Sequence, residues 1–334
     1  MMEQFKYMVR VGCVTFNHAL YIEDAMNGFC MQETTFPFIC TVVDDASTDG
    51  ESEVIRLYLQ KHFDLEDKDI VRNEETDDYV MTFARHKINH NCFFAVYYLK
   101  YNHYSINKNK NLYVKEWQEN SKYVAICEGD DYWIAPNKLQ RQVDFLEKHN
   151  NYVVCFHNAF ITEQNGNQIS SRMFNVEYEE MDLAFEDAIK RWYVPTASML
   201  FRNEILKKQP SWLVQIYSGD LSLILQLTLL GKVRYINCIM SVYRKVLNGE
   251  SMSQKVESIW ALNQKVILYE SFLNCPSLTE SQRKALRNEI AHRQLLLSYA
   301  QNKKNKNYLA LLKPRYWSLL YNYGKKWIWN KLTL

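Results

Sequence analysis

Residues 38–63, FICTVVDDASTDGESEVIRLYLQKHF, contain the pattern that decides the fold. The apolar run FICTVV is typical of a β-strand, and the polar segment DDASTDG that follows it is typical of a turn. In the next segment Val54, Leu57 and Tyr58 fit one face of a helix. A strand, a turn and a helix in this order are the first half of a βαβ unit, which favours a parallel sheet.

The same alternation continues on both sides of this segment. Strand patterns occur in MVRVGCVTF (residues 8–16) and YVAIC (123–127), and helix patterns in ALYIEDAMNGFCMQ (19–32) and PNKLQRQVDFLEKH (136–149). We therefore predict an α/β fold with a mostly parallel, Rossmann-like sheet flanked by helices. Ligands of such sheets bind outside the carboxyl ends of the strands. Two acidic clusters lie there, Asp44-Asp45 and Glu128–Asp131.

Residues 74–120 interrupt this rhythm. They are rich in Tyr, Asn and Lys and show no clear period after Leu99. We interpret them as an insertion that forms a helix and then a long loop near the entrance of the site. Their histidines, His86, His90 and His103, are expected to face solvent rather than to bind a metal.

The second half of the chain contains further strand patterns and then only helices. NYVVCFHNAF (151–160) and TASMLFRN (196–203) are predicted strands, and SGDLSLILQLTLLGK (218–232) is a predicted helix. VRYIN (233–237) and MSVYRK (240–245) are two more short strands. We predict a domain over residues 1–250 and a C-terminal helical region over residues 251–334.

Charge and cysteine usage exclude several classes of protein. The net charge is +2, but nine of the 40 basic residues follow Glu289, so residues 1–289 carry 31 basic and 38 acidic residues, a balance of −7. An acidic body disfavours binding to nucleic acid. The eight dispersed cysteines include no CxxC pair, and the N-terminus lacks a signal-peptide pattern. We expect a cytoplasmic protein, since the longest apolar stretch is also too short to span a bilayer.

The acidic cluster in YVAICEGDDYW (123–133) needs a positive partner. Glu128, Asp130 and Asp131 lie within four residues of one another, directly after an apolar run. Neighbouring carboxylates repel, and a hard divalent cation such as Mg2+ or Mn2+ would neutralise them. The alternative is an acidic turn that is simply solvated.

Four motifs in order resemble the family-2 glycosyltransferases of the GT-A fold: VRVGCVTFNHALYIEDAMNGFCMQ (9–32), TVVDDASTDG (41–50), VAICEGDDYWIAPNKLQRQVDFLEKH (124–149) and SGDLSLILQLTLLGKVRYINCIMSVYR (218–244). The match covers most of residues 8–73 and 122–245. It implies a non-processive, metal-dependent, inverting hexosyltransferase of the bacterial surface-polysaccharide type. Such an enzyme moves a sugar from a nucleotide-sugar donor to a hydroxyl of a glycan or lipid-linked glycan. A UDP-sugar is the favoured donor, although the base is left open between uracil and guanine.

The resemblance assigns roles to the acidic cluster. Asp130 matches the last position of the family's D-x-D pattern, which binds Mn2+ or Mg2+, and the metal acts as a Lewis acid on the donor diphosphate. Asp131 is expected to support the metal shell from behind. Glu128 stands where the family usually has Asp, and its longer side chain is expected to reach the ribose or a metal-bound water.

The resemblance also assigns a nucleotide site to the ends of the first two strands. Asp44 and Asp45 match the pair that reads the base, with Asp45 accepting from a base N–H. Phe16 stands in place of a tyrosine that stacks on the base, and its neighbours Thr15 and Asn17 contact the nucleotide or hold the loop. The alternative for the second loop is that Asp45, Ser47 and Thr48 merely cap the following helix.

Two further residues are expected to act on the reacting groups. Asp220, in the motif SGD, matches the general base that takes the proton of the acceptor hydroxyl; the alternative is an acidic residue that only complements the helix dipole. The family often carries a histidine after SVYR, and this chain has KVLNGES there. Arg244, or alternatively Lys245, is therefore expected to contact the diphosphate.

The basic, aromatic C-terminal segment KPRYWSLLYNYGKKWIWNKLTL (313–334) has two interpretations. It suits an interfacial helix on anionic lipid, which would place the protein peripherally on the inner face of the membrane. The alternative is a helix that docks on the body of the protein.

Two other functions compete with sugar transfer: a nucleotidyltransferase, and a nucleotide-sugar-binding protein without turnover.

Overall fold

The computed structural model describes residues 5–163, 168–172, 181–190, 194–207, 210–214, 219–246 and 258–307. The strands within these ranges are β1 (Tyr7–Thr15), β2 (Phe38–Asp44), β3 (Phe63–Asp64), β4 (Arg72–Glu75), β5 (Tyr79–His86), β6 (Cys92–Leu99), β7 (Ser121–Ile126), β8 (Tyr132–Trp133), β9 (Tyr152–Glu163), β10 (Gln168–Arg172), β11 (Met181–Asp182), β12 (Leu200–Arg202) and β13 (Lys232–Lys245). The helices are α1 (Ile22–Cys30), α2 (Glu51–His62), α3 (Lys115–Glu119), α4 (Lys138–Lys148), α5 (Phe185–Ala188), α6 (Gly219–Leu230), α7 (Ile259–Phe272) and α8 (Glu280–Lys304).

The thirteen strands of the described ranges belong to one mixed sheet with a parallel centre. The strand order is β11-β13-β9-β12-β7-β1-β2-β6-β5-β3, and β10, β4 and β8 pair off this path. The four central strands, β7, β1, β2 and β6, are parallel, and β12 is antiparallel to both of its neighbours. The predicted fold class, strands with a parallel core flanked by helices, is confirmed.

The main core lies where α1, α2 and α4 pack on the centre of the sheet. Alternate residues of β1, Val9, Val11 and Cys13, are completely buried among apolar side chains of these helices. All seven residues of β2 are buried, as expected for a central parallel strand that is covered on both faces. The apolar run FICTVV therefore sets the position of the turn that follows it, which is the first half of the site.

A close contact between α1 and β8 fixes the chain just after the acidic cluster. A Cβ atom on Gly28 would come within 2.8 Å of the backbone nitrogen of Trp133 and 2.9 Å of its carbonyl oxygen. Only a glycine allows the helix to approach the strand this closely. The indole Nε1 of Trp133 also donates to the carbonyl oxygen of Ala197 at 2.8 Å. These two contacts hold the chain at Trp133, just after the turn.

The prediction of a helix in the first part of residues 74–120 is wrong, because the structure has strands there. β6, with the sequence CFFAVYYL, pairs in parallel with β2 along its whole length, and seven of its eight residues are buried. β5 pairs with β6 and is antiparallel to it. Because a strand buried on both faces has no alternation, its period is invisible in the sequence. The longest part of this range without an α-helix or strand is residues 100–114, with a 3-10 turn at Lys110–Leu112.

The later elements agree with the sequence more closely. The predicted strand at 151–160 overlaps β9, which continues to Glu163, the one at 196–203 contains β12, and the predicted helix at 218–232 contains α6. The two short strands predicted at 233–237 and 240–245 are one strand, β13, whose register with β9 shifts between Ile236 and Ser241. A local irregularity in one strand therefore appears in the sequence as an interruption.

The chain divides into two compact units. The first comprises Met1–Ala184, Trp192–Lys208 and Gln226–Val246, and the second comprises Phe185–Arg191, Gln209–Leu225 and Leu247–Leu334. In the second unit Thr279 forms a capping box with Gln282 at the start of α8, and the Tyr269 hydroxyl donates to the carbonyl oxygen of Ile189. The predicted boundary at residue 250 and the basic tail at 313–334 lie outside the described residues.

None of the helices in the described ranges is both long enough and apolar enough to cross a membrane.

Candidate active site at the ends of strands β1, β2 and β7

The carboxyl ends of three adjacent parallel strands bring the predicted site residues together. Thr15, the last residue of β1, is level with Asp44, the last residue of β2. Beyond the strands, the Asp45 nitrogen donates to the Thr15 carbonyl oxygen at 3.0 Å, and the Gly129 nitrogen donates to the Val14 carbonyl oxygen at 3.3 Å. The two acidic clusters therefore lie on either side of the loop that follows β1.

Glu51, which the sequence analysis did not select, joins two of these loops. Its carboxylate is fully buried and accepts three hydrogen bonds, from the Thr15 hydroxyl, from the His18 backbone nitrogen at 2.9 Å and from the Ser47 hydroxyl at 2.8 Å. Burial raises the pKa of Glu51, and these three donors oppose that shift. The only sequence signal was its position directly after the turn DDASTDG.

Asn17 holds the loop after β2, which is one of the two roles predicted for it. Its backbone is in the left-handed region, with φ of 58°. The side-chain oxygen accepts from the Thr48 nitrogen at 2.8 Å, and the Asn17 nitrogen donates to the Ser47 hydroxyl at 2.9 Å. Phe16, the adjacent residue, is 41% exposed, so one ring face remains accessible at the edge of the site.

The prediction that Ser47 or Thr48 caps α2 is wrong. The residue before the helix is Gly50, with φ of 92°, and it makes no side-chain cap. Ser47 instead serves Glu51 and Asn17, as described above. Asp44 is completely buried and accepts from the Ser47 nitrogen at 2.9 Å and from the Ser52 hydroxyl. The first carboxylate of the pair therefore shapes the turn.

The second carboxylate of the pair, Asp45, is bonded to the segment at residues 103–110. It is 2% exposed, and it accepts from the backbone nitrogens of His103 at 2.7 Å and Tyr104 at 3.1 Å. The Lys110 ammonium lies 2.5 Å from Asp45 Oδ2 and neutralises its charge. The resemblance predicts a base N–H as a donor to Asp45, and the protein itself supplies three donors.

The three histidines of residues 74–120 differ in their burial. His103 is buried, with its ring nitrogens 2.8 Å from the Tyr101 carbonyl oxygen and 2.9 Å from the Tyr113 hydroxyl. His86 is also buried and accepts from the backbone nitrogen of Asn89 at 2.9 Å. The expectation that these histidines face solvent is therefore correct only for His90, which is exposed.

At the end of β7, Asp131 faces inward. It is 4% exposed and accepts from the Arg244 backbone nitrogen at 2.9 Å. Burial, together with the neighbouring charge of Asp130, raises the pKa of Asp131 well above its ordinary value. The predicted role of Asp131, support from behind, stays a prediction that this inward orientation suits.

Arg244 clamps the acidic turn. Its guanidinium donates to the Asp130 carbonyl oxygen at 3.0 Å and to Asp24 Oδ2 at 2.7 Å, and it stacks between the rings of Tyr21 and Tyr132. Only 6% of its side chain is exposed. Arg244 thus has a structural role that the sequence did not reveal, and its predicted contact with a diphosphate stays a prediction.

Asp130 faces outward from the same turn. Its side chain is 19% exposed, and its Oδ2 lies 4.0 Å from Nε2 of His18. Glu128, two residues earlier, is exposed. Among the described residues, no three His, Cys, Asp or Glu side chains form a ready metal site. One carboxylate can hold Mg2+ or Mn2+ together with substrate phosphates.

Asp220 belongs to the second unit. It is the second residue of α6, and its Oδ1 accepts from the backbone nitrogen of the next residue, Leu221, at 2.8 Å. This contact suits the alternative in which it stabilises the start of the helix. The predicted role as a general base stays a prediction.

Comparisons with known proteins identify the fold. No family model matches the chain. Uncharacterized proteins of Mycobacterium tuberculosis (strain ATCC 25618 / H37Rv) and Mycobacterium bovis (strain ATCC BAA-935 / AF2122/97) are 26% identical to it over 244 residues, which is 71% of this chain and 58% of each relative. The chain therefore spans less than two thirds of the length of the curated relatives that it matches.

Solved structures of S. aureus TarS (residues 1–349) are similar to this chain over most of its length. One is 18% identical with a TM-score of 0.56, and it covers 88% of this chain and 74% of its own. The complex of TarS with UDP-GlcNAc is 19% identical with a TM-score of 0.55, and it covers 92% of this chain and 78% of its own. The likeness shows a shared fold of the GT-A glycosyltransferase type.

Proposed function

We propose that this chain is a non-processive glycosyltransferase that moves a sugar from a nucleotide-sugar donor to a hydroxyl of a glycan or lipid-linked glycan. The observation that carries the proposal is the position of Asp130 on the ligand-binding edge of a GT-A-type sheet. Its carboxylate is partly exposed beside His18, whereas Asp44, Asp45 and Asp131 are buried. TarS, which has this fold, was crystallised with UDP and UDP-GlcNAc, and a UDP-sugar is therefore the favoured donor.

Asp130 is the residue proposed to hold Mn2+ or Mg2+. A carboxylate is a hard oxygen ligand, and these cations are commonly bound by one or two carboxylates together with substrate phosphates. The bound cation would supply Lewis acidity to the departing diphosphate. Asp131 accepts from the Arg244 backbone nitrogen, and the Arg244 guanidinium donates to the Asp130 carbonyl oxygen, so both residues are proposed to support the metal-binding turn. Arg244 is also proposed to contact the diphosphate. Glu128 is exposed and is proposed to reach the ribose.

The nucleotide is proposed to lie over the loops that follow β1 and β2. Phe16 offers an exposed ring on which a base can stack. An ionised carboxylate has about four acceptor sites, and Asp45 uses three of them for protein donors. We assign base reading to Asp45, with the Lys110 ammonium as the donor that a base N–H replaces. Thr15, Asn17 and Asp44 keep the loops in place.

Asp220 is proposed as the general base that takes the proton of the acceptor hydroxyl as it attacks the donor sugar. Direct attack by the acceptor gives inversion at the anomeric carbon. We further propose that the enzyme belongs to family 2, transfers a hexose and acts in surface-polysaccharide synthesis. We also propose that residues 313–334 place it peripherally on the cytoplasmic face of the membrane.

The test is donor binding and hydrolysis over a panel of UDP-, GDP- and dTDP-sugars, with Mn2+ and with EDTA. The variants are Asp130→Ala and, as a matched control, Asp69→Ala, which removes an exposed aspartate between β3 and β4. We expect turnover of one donor with Mn2+ by the wild type and the control, and a loss of about 100-fold or more in Asp130→Ala. Failure of every donor to bind under any metal condition would contradict the proposal.

A further inference from the structure

His18 occupies a defined position between two loops of the candidate site. Its Nδ1 lies 3.1 Å from the Thr15 hydroxyl oxygen, and its Nε2 lies 4.0 Å from Asp130 Oδ2. The His18 backbone nitrogen donates to Glu51 at 2.9 Å. Gly129 leaves the space for this arrangement, because a Cβ atom there would collide with Thr15 and come within 3.2 Å of His18 Nδ1. The ring is therefore held from the backbone and from one of its nitrogens.

The hydrogen bonds around Thr15 determine which nitrogen of His18 carries the proton. A hydroxyl has one hydrogen, and Thr15 donates it to the Glu51 carboxylate. The Thr15 oxygen then acts as an acceptor toward His18, so that Nδ1 carries the hydrogen of the neutral ring. Nε2 is left with its lone pair, and this is the nitrogen nearer to Asp130. A nitrogen lone pair and a carboxylate oxygen thus stand opposite each other, which is an arrangement that a cation satisfies.

We propose that His18 Nε2 and Asp130 Oδ2 are the two protein ligands of one divalent cation, and that the donor diphosphate and water fill its other positions. This inference rests on the proposed function. Two ligands that each lie about 2.1 Å from one ion are about 3 Å apart when they are adjacent and about 4.2 Å apart when they are opposite. The observed 4.0 Å separation lies within this range. Small side-chain rotations would make the two ligands adjacent.

The chain of Glu51, Thr15 and His18 then forms the outer shell of the cation site. Histidines that bind metals usually donate their second ring nitrogen to a carboxylate, a carbonyl oxygen or a water, which fixes the tautomer, and loss of that partner weakens metal binding by about 10–100-fold. Here the Thr15 hydroxyl stands between the ring and the carboxylate. The inference therefore gives a metal-binding purpose to Glu51 and Thr15, two buried polar residues beneath the site.

A nitrogen ligand also predicts which cation is preferred. Mg2+ is bound almost entirely by oxygen, whereas imidazole is a common ligand of first-row transition metals. A site with His18 and Asp130 therefore binds Mn2+ more tightly than Mg2+. A site with Asp130 alone would discriminate less between the two cations.

The test is electron paramagnetic resonance of Mn2+ bound to the full chain in the presence of UDP, with pulsed measurements that detect a coordinated nitrogen. The variants are His18→Gln, Asp130→Asn and the matched control His90→Gln, which changes an exposed histidine. We expect a nitrogen modulation in the wild type and the control and none in His18→Gln. We also expect the Mn2+ dissociation constant to rise by about 10–100-fold in His18→Gln. Thr15→Val, which keeps the shape and removes the hydroxyl, should raise it by about 10-fold.

The outcomes separate this inference from the proposed function. If Mn2+ and UDP bind to the wild type, binding depends on Asp130 and no nitrogen modulation is seen, only the proposed role of His18 is overturned. A modulation that persists in His18→Gln would do the same. If Mn2+ does not bind to the folded wild type with UDP, GDP or dTDP, both the inference and the proposed function fail. Urea unfolding of each variant shows whether a loss of binding is a loss of fold.

Discussion

The carboxyl ends of β2 and β7 carry similar acidic pairs in opposite states. At the end of β2, Asp44 and Asp45 are both buried, and donors from the protein occupy their oxygens. At the end of β7, Asp131 is buried in the same way, whereas Asp130 is partly exposed and faces His18. A pair of adjacent aspartates in the sequence therefore corresponds to two buried carboxylates at one strand end, and to one buried and one partly exposed carboxylate at the other.

The difference follows from what packs against each turn. The segment at residues 103–110 covers the end of β2 and brings the ammonium of Lys110 to Asp45. At the end of β7 the buried cation, Arg244, lies behind the turn and bonds to the backbone of Asp130 and not to its carboxylate. The Asp130 side chain is therefore partly exposed at the edge of the sheet where ligands of such folds bind. Neutralisation by a cation of the protein therefore distinguishes the Asp45 carboxylate from that of Asp130.

The largest expected effect concerns stability at the two ends. Asp45→Ala leaves two backbone nitrogens and the Lys110 ammonium without their acceptor, and breaking such a buried pair costs about 3–5 kcal/mol. Asp130→Ala removes a partly exposed side chain and should change the free energy of unfolding by about 0.5 kcal/mol or less. Urea unfolding at pH 7.5 measures both. Equal losses of unfolding free energy in the two variants would contradict the difference between the two strand ends.

The second prediction concerns Gly129, which lets the turn after β7 approach Thr15 at the end of β1. In Gly129→Ala the new Cβ atom collides with the Thr15 side chain, and overpacking of this kind costs about 1–3 kcal/mol. Gly219→Ala is the matched control, because no atom lies within 4 Å of a Cβ there. We expect a lower urea midpoint for Gly129→Ala and an unchanged or slightly higher one for Gly219→Ala. A tolerated Gly129→Ala would mean that Thr15 and His18 are not held as described.

Much of the fold could be predicted from the sequence, because its central strands are marked by apolar runs followed by polar turns. FICTVV and YVAIC are such runs, and the helices after them have a clear apolar face. β6 was missed for a physical reason. Its residues are buried on both faces, so they lack the alternation that identifies a strand, and two tyrosines among them resemble the polar segment that follows.

The candidate site was predictable only in part. Strand ends and acidic pairs located Asp45 and Asp130. The residues that decide what each carboxylate does come from distant parts of the chain: Lys110 lies 65 positions from Asp45, and the partner of Arg244, Asp24, lies 220 positions away from it. His18 and Glu51 are likewise joined across 33 positions. Such pairings depend on tertiary packing, which local sequence patterns do not contain.

The third prediction extends the comparison to buried cations. Lys138 is completely buried; it donates to the Gln142 side-chain oxygen at 2.8 Å and lies 4.0 Å from the ring centroid of Trp133. Unlike Lys110, it has neutral groups at these contacts. Burial lowers the pKa of Lys138 from 10.5 to about 7.

The sign of the resulting pH dependence follows from linkage. Between pH 7 and pH 10.5 the unfolded chain binds more protons at this lysine than the folded chain, so stability rises with pH there, by at most about 1.4 kcal/mol per unit. Lys138→Met removes this contribution. We expect the free energy of unfolding of the wild type, measured in urea at pH 7, 8 and 9, to rise relative to that of Lys138→Met. Parallel profiles would show that the lysine keeps its charge when buried.

The smallest expected effect separates the two contributions of Asn17 to the loop between the acidic ends. Its φ of 58° is strained for most residues, and its side-chain oxygen accepts from the Thr48 nitrogen. Asn17→Gly loses the hydrogen bond and keeps the backbone unstrained, whereas Asn17→Ala loses the bond and adds the left-handed penalty of about 1 kcal/mol. Urea unfolding should therefore rank the wild type above Asn17→Gly and Asn17→Ala last. If alanine is tolerated as well as glycine, the loop does not need this left-handed residue, and Thr15 and Glu51 fix the position of His18 beside Asp130 without Asn17.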